Sequence, residues 1–123
     1  MSVELNHTIV NVKDRWAAAR DVGQVLGLAG ATAYGPFAEL KLDNGVSLDF
    51  MAVGEGTLVP NHYAFLVGED DFDAAMARIE ALGIAYWADP FHERPSAVNS
   101  LNGGRGIYFE DPDGHNLELL TRG

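Results

Sequence analysis

The sequence predicts an α+β protein made of two βαβββ modules that pair into a half-open, barrel-like sheet around a cavity. Three observations predict it. Strand-like and helix-like stretches follow one another in the same order twice, over residues 1–52 and 61–121, with a connector at 53–60. Each half opens on a strand carrying a histidine, His7 or His62, and closes on a strand carrying an acid, Asp49 or Glu118. Each half also has one helix that ends at a Leu-Gly pair, Leu26-Gly27 and Leu82-Gly83, where glycine supplies the left-handed conformation that stops a helix. A supersecondary unit repeated in this way cannot bury its apolar face alone, so two copies are expected to close on each other as a single domain.

Residues 4–12, ELNHTIVNV, alternate. Leu5, His7, Ile9 and Asn11 share one face of a predicted strand, and Asn6, Thr8, Val10 and Val12 share the other. Asp14 is placed to cap a helix from Arg15 to about Leu26, with Trp16, Ala19, Val22 and Leu26 as its apolar face. Gly23 weakens that helix. Three short strands follow from Ala31 to Ala52. Asp43-Asn44-Gly45 turns the chain between the last two, and Asp49 falls on the face of Ser47 and Met51, opposite Leu48 and Phe50.

The second half repeats the plan. His62 to Val67 reads as a strand. Asp70 or Asp71 is expected to cap a helix through Leu82, with a stripe of Phe72, Ala75, Met76, Ile79 and Leu82. A short strand around Ala85–Trp87 leads to a long loop, Asp89–Gly104, of the length that more often binds than merely connects. The chain then closes on a hairpin, Gly104 to Thr121. Asp111-Pro112-Asp113-Gly114 has the residue types of a type I turn. Beyond it Leu117 and Leu119 face one way while Asn116, Glu118 and Leu120 face the other. A carboxylate in mid-strand on a leucine's face either meets water or holds something in a cavity.

Composition narrows the function. With 18 acidic residues against 8 basic ones the formal charge is −10, which argues against nucleic acid and against anionic membrane surfaces. A cationic ligand or simple solubility is compatible with it. The absence of cysteine removes disulfides, thiolate metal sites and thiol nucleophiles. The opening MSVELN has no leader pattern and no stretch approaches a membrane span, so a cytoplasmic protein is expected.

Two imidazoles and one or two carboxylates at matching places of a repeat suit a divalent metal of borderline softness, with open positions for catalysis. Singly, a strand histidine is more often a hydrogen-bonded structural residue, and Glu118 more often solvated. The coincidence of repeat position, inward parity and residue type is what points to a site. His115, at the turn exit, reads as structural, Tyr63 as core, and His92 as a loop residue without an assigned role.

NHTIVNVKD, NHYAFLV and GIYFEDPDGHNLELL resemble the vicinal oxygen chelate superfamily, which includes glyoxalase I, extradiol dioxygenases, fosfomycin-resistance proteins and bleomycin-resistance proteins. The resemblance covers essentially the whole chain. It implies a homodimer with sites at or near the interface, and one divalent ion per site (Mn, Fe, Ni or Zn) held by His7, His62 and Glu118. Asp49 falls where glyoxalase I has a fourth, glutamate ligand. As implied by the resemblance, Glu118 and Asp49 are the catalytic carboxylates, Asp49 as a possible base. Asn99, Ser100, Asn102 and Arg105 are placed at the mouth of the site. The expected function is a metal-dependent enzyme of glyoxalase I or fosfomycin-resistance type, acting on a small oxygen-chelating substrate. One alternative is a bleomycin-resistance-like protein that sequesters a cationic drug among aromatics such as Trp87, Phe91, Tyr34 and Phe37. The other is an extradiol-type dioxygenase, a group with longer chains and a His and Tyr acid–base pair.

Overall fold

The structure, a computed structural model, describes residues 2–123; Met1, the first residue of the opening segment weighed for a leader, lies outside them. In chain order the elements are β1 (His7–Val12), α1 (Arg15–Leu26), β2 (Thr32–Tyr34), β3 (Phe37–Lys41), β4 (Ser47–Ala52), β5 (His62–Leu66), α2 (Glu69–Leu82), β6 (Tyr86–Trp87), β7 (Gly106–Glu110) and β8 (Asn116–Leu120). Single 3-10 turns stand at Glu55–Thr57 and Leu101–Gly103. Two compact units are divided between Val59 and Pro60. Each contains an open four-stranded mixed sheet, ordered β1-β4-β3-β2 in the first and β5-β8-β7-β6 in the second. In both, the first strand joins the last in parallel and the remaining pairs are antiparallel. The βαβββ order is therefore present twice, as the sequence predicts. Among the described residues no helix is long and apolar enough to cross a membrane.

In the first unit Val10, Val12, Ala38, Leu40, Leu48 and Phe50 form the buried sheet face, and α1 lies over it. Asp14 caps this helix, its carboxylate accepting the Trp16 and Ala17 N–H groups at 3.1 and 3.0 Å. Such a cap stabilises by about 1 kcal/mol. Gly27 ends the helix at φ 68°. The buried helical residues are Ala18, Ala19, Val22, Gly23 and Val25, so the expected stripe holds at Ala19 and Val22 and fails at its ends. Trp16 and Leu26 are not buried. Size decides this: a Cβ on Gly23 would meet Leu40 Cδ1 at 3.4 Å, and so close an approach admits small residues while turning a tryptophan outward. Strand β1 begins at His7 rather than near Glu4, because its partner β4 begins opposite, at Ser47.

In the second unit Phe65, Ile107, Phe109, Leu117 and Leu119 are the buried sheet face. The helix α2 is tied to it through Arg105, whose guanidinium lies 4.6 Å from the centre of the Phe72 ring and bonds Glu69 and Asp73 at 2.9 and 2.8 Å. Neither Asp70 nor Asp71 is the N-cap. That position is Gly68, which has no side chain to offer, and Glu69, Asp70 and Asp71 all stand in the first turn. There three carboxylates face the positive end of the helix dipole. The stripe stops at Ile79, and Leu82 is exposed.

Candidate metal centre on the second unit

The register of the second sheet builds the site. His62 stands beside Asn116, and Ala64 beside Glu118; across the hairpin Tyr108 stands beside Glu118. Alternation then puts His62, Ala64, Asn116, Glu118, Glu110 and Tyr108 together on the face turned away from α2. Glu118 and Tyr108 are 9% and 6% exposed, whereas the His62 side chain is 48% exposed. The carboxylate is thus withdrawn from water while the imidazole beside it is half exposed. Ala64, small and exposed, stands beside Glu118 on the same face.

The hydrogen bonds determine what the pair can do. His62 Nδ1 lies 2.8 Å from the main-chain oxygen of Asn116. A carbonyl only accepts, so Nδ1 carries the hydrogen, and in a neutral ring Nε2 then presents its lone pair. That atom lies 3.1 Å from Glu118 Oε1. A lone pair and a carboxylate oxygen at this distance repel unless a cation, a proton or a metal ion, is shared between them. Imidazole nitrogen and carboxylate oxygen bind a divalent ion such as zinc at about 2.0–2.2 Å, so two donors 3.1 Å apart could reach one ion together. The donor set therefore fits a metal. Tyr108 completes the arrangement: its hydroxyl donates to Glu118, its ring lies 5.9 Å from that of His62, and burial, followed by the Glu118 charge, pushes its hydroxyl above the usual tyrosine range.

The first unit places its two candidates on one face as well, with His7 beside Ser47 and Asp49 between Ile9 and Glu39. Here the connections differ. His7 Nδ1 bonds the Asn6 side-chain oxygen at 2.8 Å, and the buried Asp49 carboxylate accepts the Ser47 hydroxyl at 2.9 Å. Among the described residues no three His, Cys, Asp or Glu side chains form a group able to hold a metal; His62 and Glu118 are brought together as a pair.

The structural reading of His115 agrees with its position. It is fully buried, its Nδ1 accepts the Asn61 N–H at 2.9 Å, and Tyr63 meets its ring edge-on. Arg105, expected at the mouth of the site, is held instead by α2, because two carboxylates and an aromatic face await it there. Asn99 is buried and bonds the Ala88 carbonyl at 2.8 Å. Tyr108 is the residue beside the candidate pair that reading along the strands overlooks. Counting outward from the Asp111–Gly114 turn pairs residue 108 with residue 118 and finds it.

Two βαβββ units, each with a histidine on its first strand and an acid on its last, define a two-module class of protein. The chain belongs to the Glyoxalase/Bleomycin resistance protein/Dioxygenase superfamily, whose family model matches residues 4–119. It is 54% identical to the solved structure of the oxidase ChaP-H1 with a TM-score of 0.95, over 99% of this chain and 98% of that one. The corresponding values for the oxidase ChaP-H2 are 54% and 0.96, over 100% and 96%. It is also 41% identical to the glutathione transferase FosA of Serratia marcescens over 58 residues, 47% of this chain. That match spans 34% of the length of the FosA protein.

Proposed function

We propose that this chain is a metal-dependent oxidase that acts on a small molecule presenting two adjacent oxygens, with dioxygen as electron acceptor. The observation that carries the reading is the His62–Glu118 pair, an imidazole nitrogen 3.1 Å from a carboxylate oxygen on one face of the second sheet. The identity of 54% over nearly the whole chain with two oxidases favours oxidation over the other chemistries of the superfamily. We assign His62 and Glu118 to the ligand set, and the resemblance implies His7 as its second histidine; two histidines and one carboxylate are a combination suited to non-haem iron. A bound ion of this kind supplies the Lewis acidity and redox chemistry that the side chains lack.

The chain's own residues do the rest. The Asn116 carbonyl fixes the tautomer and ring angle of His62. Tyr108 holds one side of the Glu118 carboxylate, and the low exposure of both keeps water from that oxygen. Asp49 would have to release Ser47 before serving as a fourth ligand or base, so we place it behind the three-residue set. The homodimer implied by the resemblance belongs to the same proposal.

The test begins with chelator-stripped protein reloaded without oxygen with Fe(II), Mn(II), Ni(II) or Zn(II), each assayed for bound metal. Oxygen uptake is then followed with a panel of catechols, quinols and α-hydroxy ketones. About one ion per chain and uptake that depends on iron are expected. Metal binding with glutathione addition to an oxirane, and without oxygen uptake, would favour the transferase reading that the FosA match supports. Failure to take up any of the four metals would sink the enzyme and leave the ligand-sequestering alternative.

A further inference from the structure

A further histidine, His92, stands on the site's side of the second sheet without touching the pair. It lies in the loop after β6, and its ring is stacked flat on Trp87, with 3.8 Å between centroids and 5° between planes. Trp87 pairs with Tyr108 across the sheet, and Tyr108 pairs with Glu118. The stack therefore sits on the row of residues that leads to the carboxylate. The His92 backbone is left-handed, at φ 60°, a conformation that a non-glycine residue keeps only where its surroundings hold it.

What holds it is Asn116. The Asn116 side-chain nitrogen donates to the Pro90 carbonyl at 3.3 Å, which turns the amide oxygen toward His92. His92 Nε2 lies 3.1 Å from that oxygen and, facing an acceptor, donates to it. Its other ring nitrogen lies 3.7 Å from Glu110 Oε1. The main-chain carbonyl of the same Asn116 accepts the Nδ1–H of His62. One residue thus carries both bonds, its side chain to the loop and its main chain to the proposed ligand.

We propose that His92 is a positioning residue for His62, acting through Asn116. It locks the residue whose carbonyl sets the tautomer and angle of the His62 ring, so that Nε2 is presented to the cation. This rests on the metal-site reading above. It also gives the loop a purpose: a stacked histidine anchors it to the hairpin beside the site. Partners one bond removed from a metal ligand commonly change affinity by about 10–100-fold, and His92, a bond further out, should act near the lower limit, about tenfold.

The experiment uses Co(II) as probe, titrated into the stripped full-length protein and followed by visible ligand-field absorption. Three proteins are compared: wild type, His92→Phe and His92→Gln. Phenylalanine keeps the stack on Trp87 and removes the donor; glutamine keeps a donor and removes the ring. We expect one Co(II) per chain in wild type, about tenfold weaker binding with shifted bands in His92→Phe, and recovery of most of both in His92→Gln. Wild-type affinity and spectrum in His92→Phe would overturn the proposal. Equal impairment in the two variants would overturn it as well, since the stack rather than the donor would then matter. Should His92→Phe fail to fold, the glutamine variant carries the test through its affinity and bands. A wild type that takes up no Co(II) would instead overturn the metal reading, and this inference with it.

Discussion

In the first unit the buried carboxylate of Asp49 accepts the hydroxyl of Ser47; in the second the equivalent carboxylate, Glu118, faces an imidazole and a phenol. The registers behind these arrangements are the same. Each first-strand histidine stands beside the residue two before the acid, Ser47 or Asn116, and each acid has one neighbour from the third strand, Glu39 or Tyr108. Backbone position therefore does not separate the units. Two side-chain differences do. Ser47 reaches along its own strand and satisfies the aspartate locally, whereas Asn116 turns toward the loop and leaves Glu118 to its cross-strand neighbours. Glutamate also has one more methylene, which carries its oxygen to the adjacent strand. A repeated fold offers the same place twice, and the residue two before the acid, together with the length of the acid, decides whether the carboxylate is held along its own strand or faces its cross-strand neighbours.

The strongest way to break this comparison is to remove the carboxylates separately. Glu118→Ala, like His62→Ala, should reduce bound metal to less than about a tenth of wild type with unchanged circular dichroism. Asp49→Ala should leave the stoichiometry at one ion. A Glu118→Ala protein with full metal content would remove the distinction between the units. Next in size is the third-strand neighbour. Tyr108→Phe should weaken metal binding about tenfold by releasing the carboxylate, while Glu39→Gln in the first unit should not alter it, both read by competition with a chromophoric chelator.

The helices differ too. Asp14→Ala should cost about 1 kcal/mol in urea denaturation, because α1 has a side-chain cap and α2 has none to lose. The smallest effect concerns the closing turn. Burial, which outweighs the bonds from the His115 and Asp113 N–H groups, holds the Asp111 carboxyl above the usual carboxylate range. A raised folded-state value means that the protonated form stabilises the fold at low pH and that this contribution is lost as the pH rises. Asp111→Asn keeps the accepting oxygen without the charge. It should be slightly more stable than wild type at neutral pH, and the difference should shrink as the pH falls toward about 3.8, the ordinary aspartate value, and be gone below it.

Much of this was legible in the sequence, for identifiable reasons. His62 and Glu118 could be read because parity and repeat position are one-dimensional properties, and a strand preserves them. Tyr108 was legible in principle but only across strands, by counting from the turn. The ends of the α1 stripe were not, since periodicity gives direction and takes no account of how closely a helix approaches a sheet. The α2 cap was missed because a run of acids near a helix start satisfies the dipole from inside the first turn as well as from the cap. Least legible was His92. The path of its loop is set by the Asp89 carboxylate, which accepts the Glu93 and Arg94 N–H groups, and by a bridge from Trp87 to Pro95. Contacts of that kind follow no period.

The pairing of β5 with β8 has a consequence in time. Strands β7 and β8 are joined by a tight turn and can zip together locally, whereas His62 reaches Asn116 across 54 residues of chain. Such long-range parallel pairing comes late in folding, because the loop must close before the contacts reward it. Tyr108 and Glu118 therefore meet early and the imidazole arrives last. A cation held by His62 and Glu118, as proposed, would need that pairing in place, so it would stabilise the finished sheet and act mainly by slowing its unfolding. It would act as a latch on a finished sheet rather than as its nucleus.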